Sequence, residues 1–248
     1  MIFHADLHTH TNASEDGLST LGQQAAAAKK AGLHALAVTD HNLCTPLPGP
    51  ALHGVLLIPG CEVSTQAGHI LGLFLESPLD LDKLQAQGLP TANAAVNEIH
   101  RHGGIAVLAH PFQPPQATAE KYNFPIDAVE AANARASFKV TDANRKASAF
   151  AKDRGLPAIG GSDGHSRQEV GNAYTEIDCE SLSLPGLKAA LLQRACRPVL
   201  IRDTPRFRKG LSQLGKARRS GSLKKVAVAF VYFLYCLLPR RLTGLLHR

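Results

Sequence analysis

"ADLHTHTNASEDG", residues 5–17, sets Asp6, His8 and His10 at alternate positions right after an apolar start. If "MIFHADL" is a first strand, this spacing turns both imidazoles to one side of the chain, because strand side chains alternate faces. Two imidazoles on one side can chelate one ion. A surface strand with two chance histidines would show the same pair, so the pair alone decides little. The pattern then recurs. "VTDHN" (38–42), "PGCEVS" (59–64), "AHP" (109–111) and "GGSDGHS" (160–166) each place His, Asp or Glu directly after an apolar run. Half-buried ionisable groups are costly unless paired or metal-bound. Four or more such sites by chance is a poor explanation.

The segments between these motifs set the fold class. Strand-like runs at 34–40, 54–60, 68–75, 105–111, 127–133 and 157–163 alternate with helical patterns at 19–32, 91–104, 137–155 and 183–196. Ser19 reads as a helix N-cap, and Gly103 and Gly104 as a helix stop. "AYTEIDC" (173–179) reads as an edge strand. Strands alternating with helices predict a parallel sheet, and seven or so units within residues 1–200 predict a closed or nearly closed α/β barrel. A doubly wound open sheet has the same rhythm. In a barrel the active site lies at the C-terminal ends of the strands, which is where the polar motifs fall.

Composition narrows the setting. The chain has 248 residues, 44% hydrophobic, with no Trp and 5% aromatics, so its core is built from Ala, Leu, Val and Ile. Cys44, Cys61, Cys179, Cys196 and Cys236 are odd in number and form no Cys-x-x-Cys, which predicts a reducing compartment. No signal-peptide pattern opens the chain, and a cytoplasmic location is expected. The net charge of +7 is unevenly spread. Residues 201–248 hold twelve Lys/Arg against Asp203, a net of +11, and residues 1–200 carry a net of −4. The reading is therefore a domain over 1–200 and a basic tail over 201–248. Val226 to Leu238 is uncharged, flanked by Lys224 and Lys225 on one side and Arg240 and Arg241 on the other. As a helix it would be about 20 Å long, short of the roughly 30 Å bilayer core. Peripheral association of residues 202–248 with an anionic membrane surface, on the inner face, is the favoured reading. Packing on the barrel or on a second copy comes next. Nucleic-acid binding comes last, because the aromatics are not interleaved with the Lys/Arg. Oligomeric state is left open.

Mixed imidazole and carboxylate donors suit Zn, Mn or Fe, and the absence of Cys among them disfavours a structural zinc site. The candidates are too many for one ion, so two or three divalent ions are expected. The set "DLHTHT", "VTDHN", "PGCEVS", "HILGLF", "GGIAVLAHP" and "GGSDGHS", in this order over roughly residues 3–175, resembles the PHP (polymerase and histidinol phosphatase) superfamily. The resemblance implies a distorted (β/α)7 barrel with a trinuclear metal site. It implies metal ligation by His8, His10, Asp16, His41, Glu62, His69, His110, Asp163 and His165, with Glu15 a rival to Asp16.

What the resemblance implies for function is a metal-dependent phosphoesterase, a hydrolase acting on the phosphate monoester of a nucleotide or small molecule. In that mechanism Glu62 bridges two ions and a hydroxide held between them attacks phosphorus. Arg135 and Arg167 are candidates to neutralise the phosphoryl oxygens, and His165 or a metal-bound water to protonate the leaving group. Asp6 and Asp40 are expected to orient ligand histidines. His4, His34, His53, His100, His102 and His247 read as chance surface residues. The alternatives are a 5′–3′ exonuclease of short oligonucleotides, and a membrane-tethered metal-binding regulatory protein without turnover. The nine polar positions argue against the second, because a structural site needs about four ligands. A metal hydrolase of C–N or C–O bonds would be supported by a lysine at a strand end, and none is seen there.

Overall fold

A computed structural model describes residues 1–138 and 140–238. Arg240, Arg241 and His247 of the sequence reading lie outside the described residues. The chain runs β1 (Ile2–Asp6), α1 (Leu21–Lys30), β2 (Ala35–Val38), β3 (Ala51–Leu52), β4 (Val55–Thr65), β5 (Gly68–Leu73), α2 (Leu81–Leu84), α3 (Ala92–Arg101), β6 (Ile105–Leu108), β7 (Ala128–Asn133), α4 (Ala143–Arg154), β8 (Ala158–Gly161), β9 (Ala173–Asp178), α5 (Leu184–Leu192), β10 (Cys196–Leu200), α6 (Arg206–Arg219) and α7 (Leu223–Leu237). Its strands form one sheet in the order β10-β9-β1-β2-β4-β5-β6-β7-β8, with β3 beside β4.

The sheet curls into a nearly closed barrel, as expected, but it is mixed where a parallel sheet was expected. β1, β2 and β4 are mutually parallel, and so are β6, β7 and β8. β5 runs antiparallel to both β4 and β6. Gln66 and Ala67 alone join β4 to β5, and two residues can close a hairpin but cannot carry a crossover helix. Thus β4 continues through Glu62, which sits inside a strand rather than after one. "AYTEIDC" is not an edge strand, since β9 pairs antiparallel with β1 and with β10. Within the predicted helix at 137–155, the regular helix starts only at Ala143. "RAC" at the end of the last predicted helix already turns into β10.

Alternation sorts the apolar residues into layers. Ala5, Leu7, Ala37, Ile58, Leu71, Val107 and Ile159 gather with Leu187 and Leu191 of α5 in the barrel interior. The residues of opposite parity face outward under helices. Val63, Ile70 and Leu108 meet Ala95, Val96 and Ile99 of α3, and Leu36 and Leu57 meet Ala28 of α1. Closure uses a missing side chain. A Cβ on Gly161 of β8 would lie 2.5 Å from the Cβ of His8, so only glycine lets β8 approach the end of β1. An isolated parallel bridge between Thr9 and Gly164 spans the same seam.

The tail forms two helices rather than one. Ser222 caps α7 by accepting from the amide of Lys225, and α7 folds back along α6. The hairpin is seated on the barrel. Arg135 donates to Ser212 of α6 at 3.0 Å, and Ser137 donates to Asp203 at 2.7 Å.

Candidate metal centre

His8 and His10 lie just beyond β1, His41 beyond β2, His110 beyond β6, and Asp163 and His165 beyond β8. Glu62 comes from β4 and His69 from β5, diagonal across the hairpin, where Glu62 pairs with Leu71 and Ser64 with His69. Asp16 comes from the loop between β1 and α1. All nine positions meet at one end of the barrel. Glu62 is at the centre and completely buried. Its Oε1 lies 2.7 Å from His69 Nδ1 and 3.1 Å from His110 Nε2. Its Oε2 lies 2.7 Å from His41 Nδ1, 3.2 Å from His10 Nε2 and 3.4 Å from His8 Nε2. Asp163 Oδ1 is 3.4 Å from His10 and 3.5 Å from His165. Asp16 is 3.1 Å from His165 and 3.7 Å from His41. Glu15 instead points outward and pairs with Lys216 at 2.9 Å. Of the two rivals, Asp16 is the one in the cluster.

The donor set fits cations. Glu62 Oε2 and Asp16 Oδ1 are buried and have no hydrogen-bond partner among the described residues, although imidazole nitrogens stand close to both. The Nε2 atoms of His8 and His10 face each other at 3.0 Å, where one proton at most can sit between them. A positive ion shared by these lone pairs would satisfy them all. Four groups of three donors are close enough to hold an ion: His10, His41 and His165; His8, His110 and Asp163; His8, His10 and Glu62; and His41, Glu62 and His69. Glu62 belongs to two of these groups, with Oε2 nearest His8, His10 and His41 and Oε1 nearest His69 and His110. His110 and Asp163 adopt positive φ, 28° and 51°. Non-glycine residues hold that conformation only where surrounding structure enforces it.

Charge follows from the same packing. Burial opposes ionisation of Glu62, but His69, His41 and His8 overcome it and hold the carboxyl well below its usual range. Burial also opposes ionisation of Asp163, which His8 and His10 hold low. Burial, together with His41 and His165, pushes His10 down to about 3. Burial works against a charged His41 as well, but Glu62 outweighs it and raises His41 to about 9.

The surrounding shell differs in part from expectation. Asp40 and Asp6 are buried, but they brace backbone rather than imidazoles. Asp40 accepts from the Thr11 amide at 2.7 Å, the Thr11 hydroxyl at 2.7 Å and the Ser14 hydroxyl at 2.6 Å, which shapes the loop carrying Asp16. A Cβ on Gly17 would overlap the Thr11 carbonyl at 1.8 Å, so this loop closes only with glycine there. Asp6 accepts from the amides of Ser162 and Gly171, and burial raises its carboxyl to about 6. The ring-facing partner is Glu130, which the sequence reading missed. Its Oε1 is 2.9 Å from His8 Nδ1, and its Oε2 accepts from the His110 amide and from Asn133. A glutamate in the middle of the apolar strand "AVEAAN" was the available signal, since a fully buried carboxylate needs partners.

Of the two arginine candidates, Arg135 is buried with Nε 2.8 Å and Nη2 2.6 Å from Glu169. Arg167 is exposed, two residues after His165. Solvent reaches the cluster on the side of His41 and His69, whose side chains are 28% and 37% exposed. A cleft of about 170 Å³ opens there, lined by His69, His110, Pro111, Gln113, Pro114 and Tyr122 among others.

Residues 6–108 match the PHP domain, and residues 141–196 match the PHP-associated family. This chain belongs to the PHP family. It is a metal-dependent phosphoesterase by class, a hydrolase. A Methanocaldococcus jannaschii protein is 32% identical over 146 residues, covering 52% of this chain and 81% of that one. A probable phosphatase of Photobacterium profundum is 26% identical over 217 residues, 69% of this chain and 82% of that one. A two-domain Bacteroides vulgatus protein, described as containing a predicted PHP-like metal-dependent phosphoesterase, superposes with a TM-score of 0.60 at 22% identity. The overlap covers 81% of this chain and 65% of that one, so this PHP chain spans just under two thirds of that relative.

Proposed function

We propose that this PHP protein hydrolyses the phosphate monoester of a small molecule or nucleotide, using two or three divalent ions held by the nine clustered residues. The observation that carries the reading is Glu62, with each carboxylate oxygen turned to a separate group of imidazoles. That is the placement a carboxylate shared by two cations requires. Bound in such a site, divalent ions neutralise phosphoryl oxygens and lower the pKa of water.

The chain's own residues supply the rest. His8, His10, His110 and Asp163 form the buried floor, and His41 and His69 the open side through which a phosphate enters. The small cleft beside His69 and His110 takes the group carrying the phosphate, and its size supports a small substrate. His165 stands between Asp163 and Asp16 and completes the ligand set on that side. Arg135 is committed to Glu169, so the phosphate-facing cation we favour is Arg167.

The test is phosphate release with Mn²⁺ from p-nitrophenyl phosphate, 3′,5′-adenosine bisphosphate, histidinol phosphate and a 5′-phosphorylated dinucleotide. Turnover of a mononucleotide or small monoester is expected. It should be lost in the His8→Ala/His10→Ala variant and fall by about 10³ in Glu62→Gln, the upper end for one electrostatic group. Turnover of the dinucleotide alone would replace the monoester reading with the exonuclease one. No turnover by a protein shown to bind metal would overturn both.

A further inference from the structure

The outward face of α7 breaks the rule for surface helices, which show polar residues to solvent. Val228, Phe230, Val231 and Leu234 are 65%, 49%, 66% and 46% exposed. Leu223, Leu237 and Leu238 extend the stripe at both ends. The inward face, with Ala229 and Cys236 buried, is apolar too. Two sides of the helix are therefore hydrophobic, and α6 covers only one. A stripe of this length on a soluble surface marks a contact.

The charge around the stripe says what covers it. Residues 206–238 hold eight Lys/Arg and no Asp or Glu. Lys224 and Lys225 lie on the first turn of α7, and Lys216 and Arg219 on the last turns of α6. A cleft of about 990 Å³ along the two helices is lined by these four together with Lys209, against the single carboxylate of Glu15, which pairs with Lys216. Two copies joined through this face would bring sixteen Lys/Arg together, with no Asp or Glu from the hairpin and one Glu15–Lys216 pair in each copy. An anionic surface that is apolar beneath its charge satisfies both features at once. The helix has 15 residues, about 22 Å at roughly 1.5 Å per residue, against a bilayer core of roughly 30 Å. No helix among the described residues is long and apolar enough to cross a membrane. A helix of this length and composition lies in the interface plane, with its apolar face among the acyl chains and its Lys/Arg among the headgroups.

We propose that the α6–α7 hairpin docks on the surface of an anionic lipid bilayer through the exposed stripe of α7. Because α6 also touches the loop carrying Asp16, docking would hold the metal centre close to the membrane. The proposal does not rest on the substrate reading, because binding is measured without turnover.

The experiment is flotation of the full chain with vesicles of phosphatidylcholine alone or mixed with phosphatidylglycerol. Val231→Asp/Leu234→Asp is run beside it, with its fold checked by circular dichroism and its oligomeric state by light scattering. Lys224→Glu/Lys225→Glu is the second variant, and it leaves the stripe intact. Co-flotation with the anionic vesicles is expected. It should weaken with added salt, fall at least tenfold in each variant, and be far weaker on phosphatidylcholine alone. Three results would overturn the proposal. One is no co-flotation. Another is full binding by the Asp variant, which would mean that charge alone attracts the chain. The last is a dimer that the Asp variant dissociates without any vesicle binding, which would make the stripe a contact between two copies.

Discussion

At the scale of the residue, the centre is a problem of burial. Six of the nine clustered side chains are nearly shut off from water, and such groups must be mutually satisfied or bound to a cation. Their types and order along the chain were legible, because metal chemistry demands particular donors and most of them fall at or just after an apolar run. Glu130 was not. It sits 122 residues from His8, and nothing local marks that pairing. Its carboxylate fixes the His8 ring and, through the His110 amide, a backbone at positive φ. Glu130→Gln should therefore leave the fold intact and weaken metal affinity by about 10–100-fold, the usual effect of losing a carboxylate behind a ligand histidine. Metal titration by calorimetry checks it. An unchanged affinity would remove Glu130 from the ligand support.

At the scale of the element, the loop between β1 and α1 depends on α6. Arg219 donates to the carbonyls of Ser14 at 2.7 Å, Glu15 at 2.9 Å and Gly17 at 2.6 Å, enclosing Asp16 on both sides. Read from the sequence, Arg219 was one more charge in a basic tail. The fold places it against a segment over 200 residues earlier. Arg219→Met should cost about 1.5–3 kcal/mol, the value of a hydrogen bond to a charged group, and lower the affinity for the ion nearest Asp16. Glu15→Ala breaks only the exposed pair with Lys216 and should stay within about 1 kcal/mol. Thermal melts of both variants, with and without Mn²⁺, separate the two. Equal effects would mean that the hairpin does not brace the loop.

At the scale of the whole molecule, cations and protons compete for one cluster. His41 keeps its proton to about 9 in the metal-free protein, and a cation binding there must displace it. Metal binding therefore releases protons, and apparent affinity rises with pH below that value, about tenfold per unit for each proton displaced. Calorimetry at pH 6, 7 and 8 in buffers of different ionisation enthalpy reads the proton count directly. Affinity that is flat with pH would contradict it. Chelation should also lower the melting temperature, because a ligand bound only by the folded state stabilises that state.

The resemblance carried by its motifs implied the barrel and the nine clustered positions; the amino-acid sequence by itself determined the strand and helix rhythm, the recurring polar motifs and the cationic tail. These rest on period, composition and donor type, which are properties of short stretches. Only the tertiary structure decided the antiparallel turn of β5, the support of Glu130, the commitment of Arg135 to Glu169 and the seating of α6 on the Asp16 loop. Each of these depends on which distant segments touch. That choice follows from how the whole chain buries its apolar faces and satisfies its buried charges, and it leaves no pattern in any one stretch.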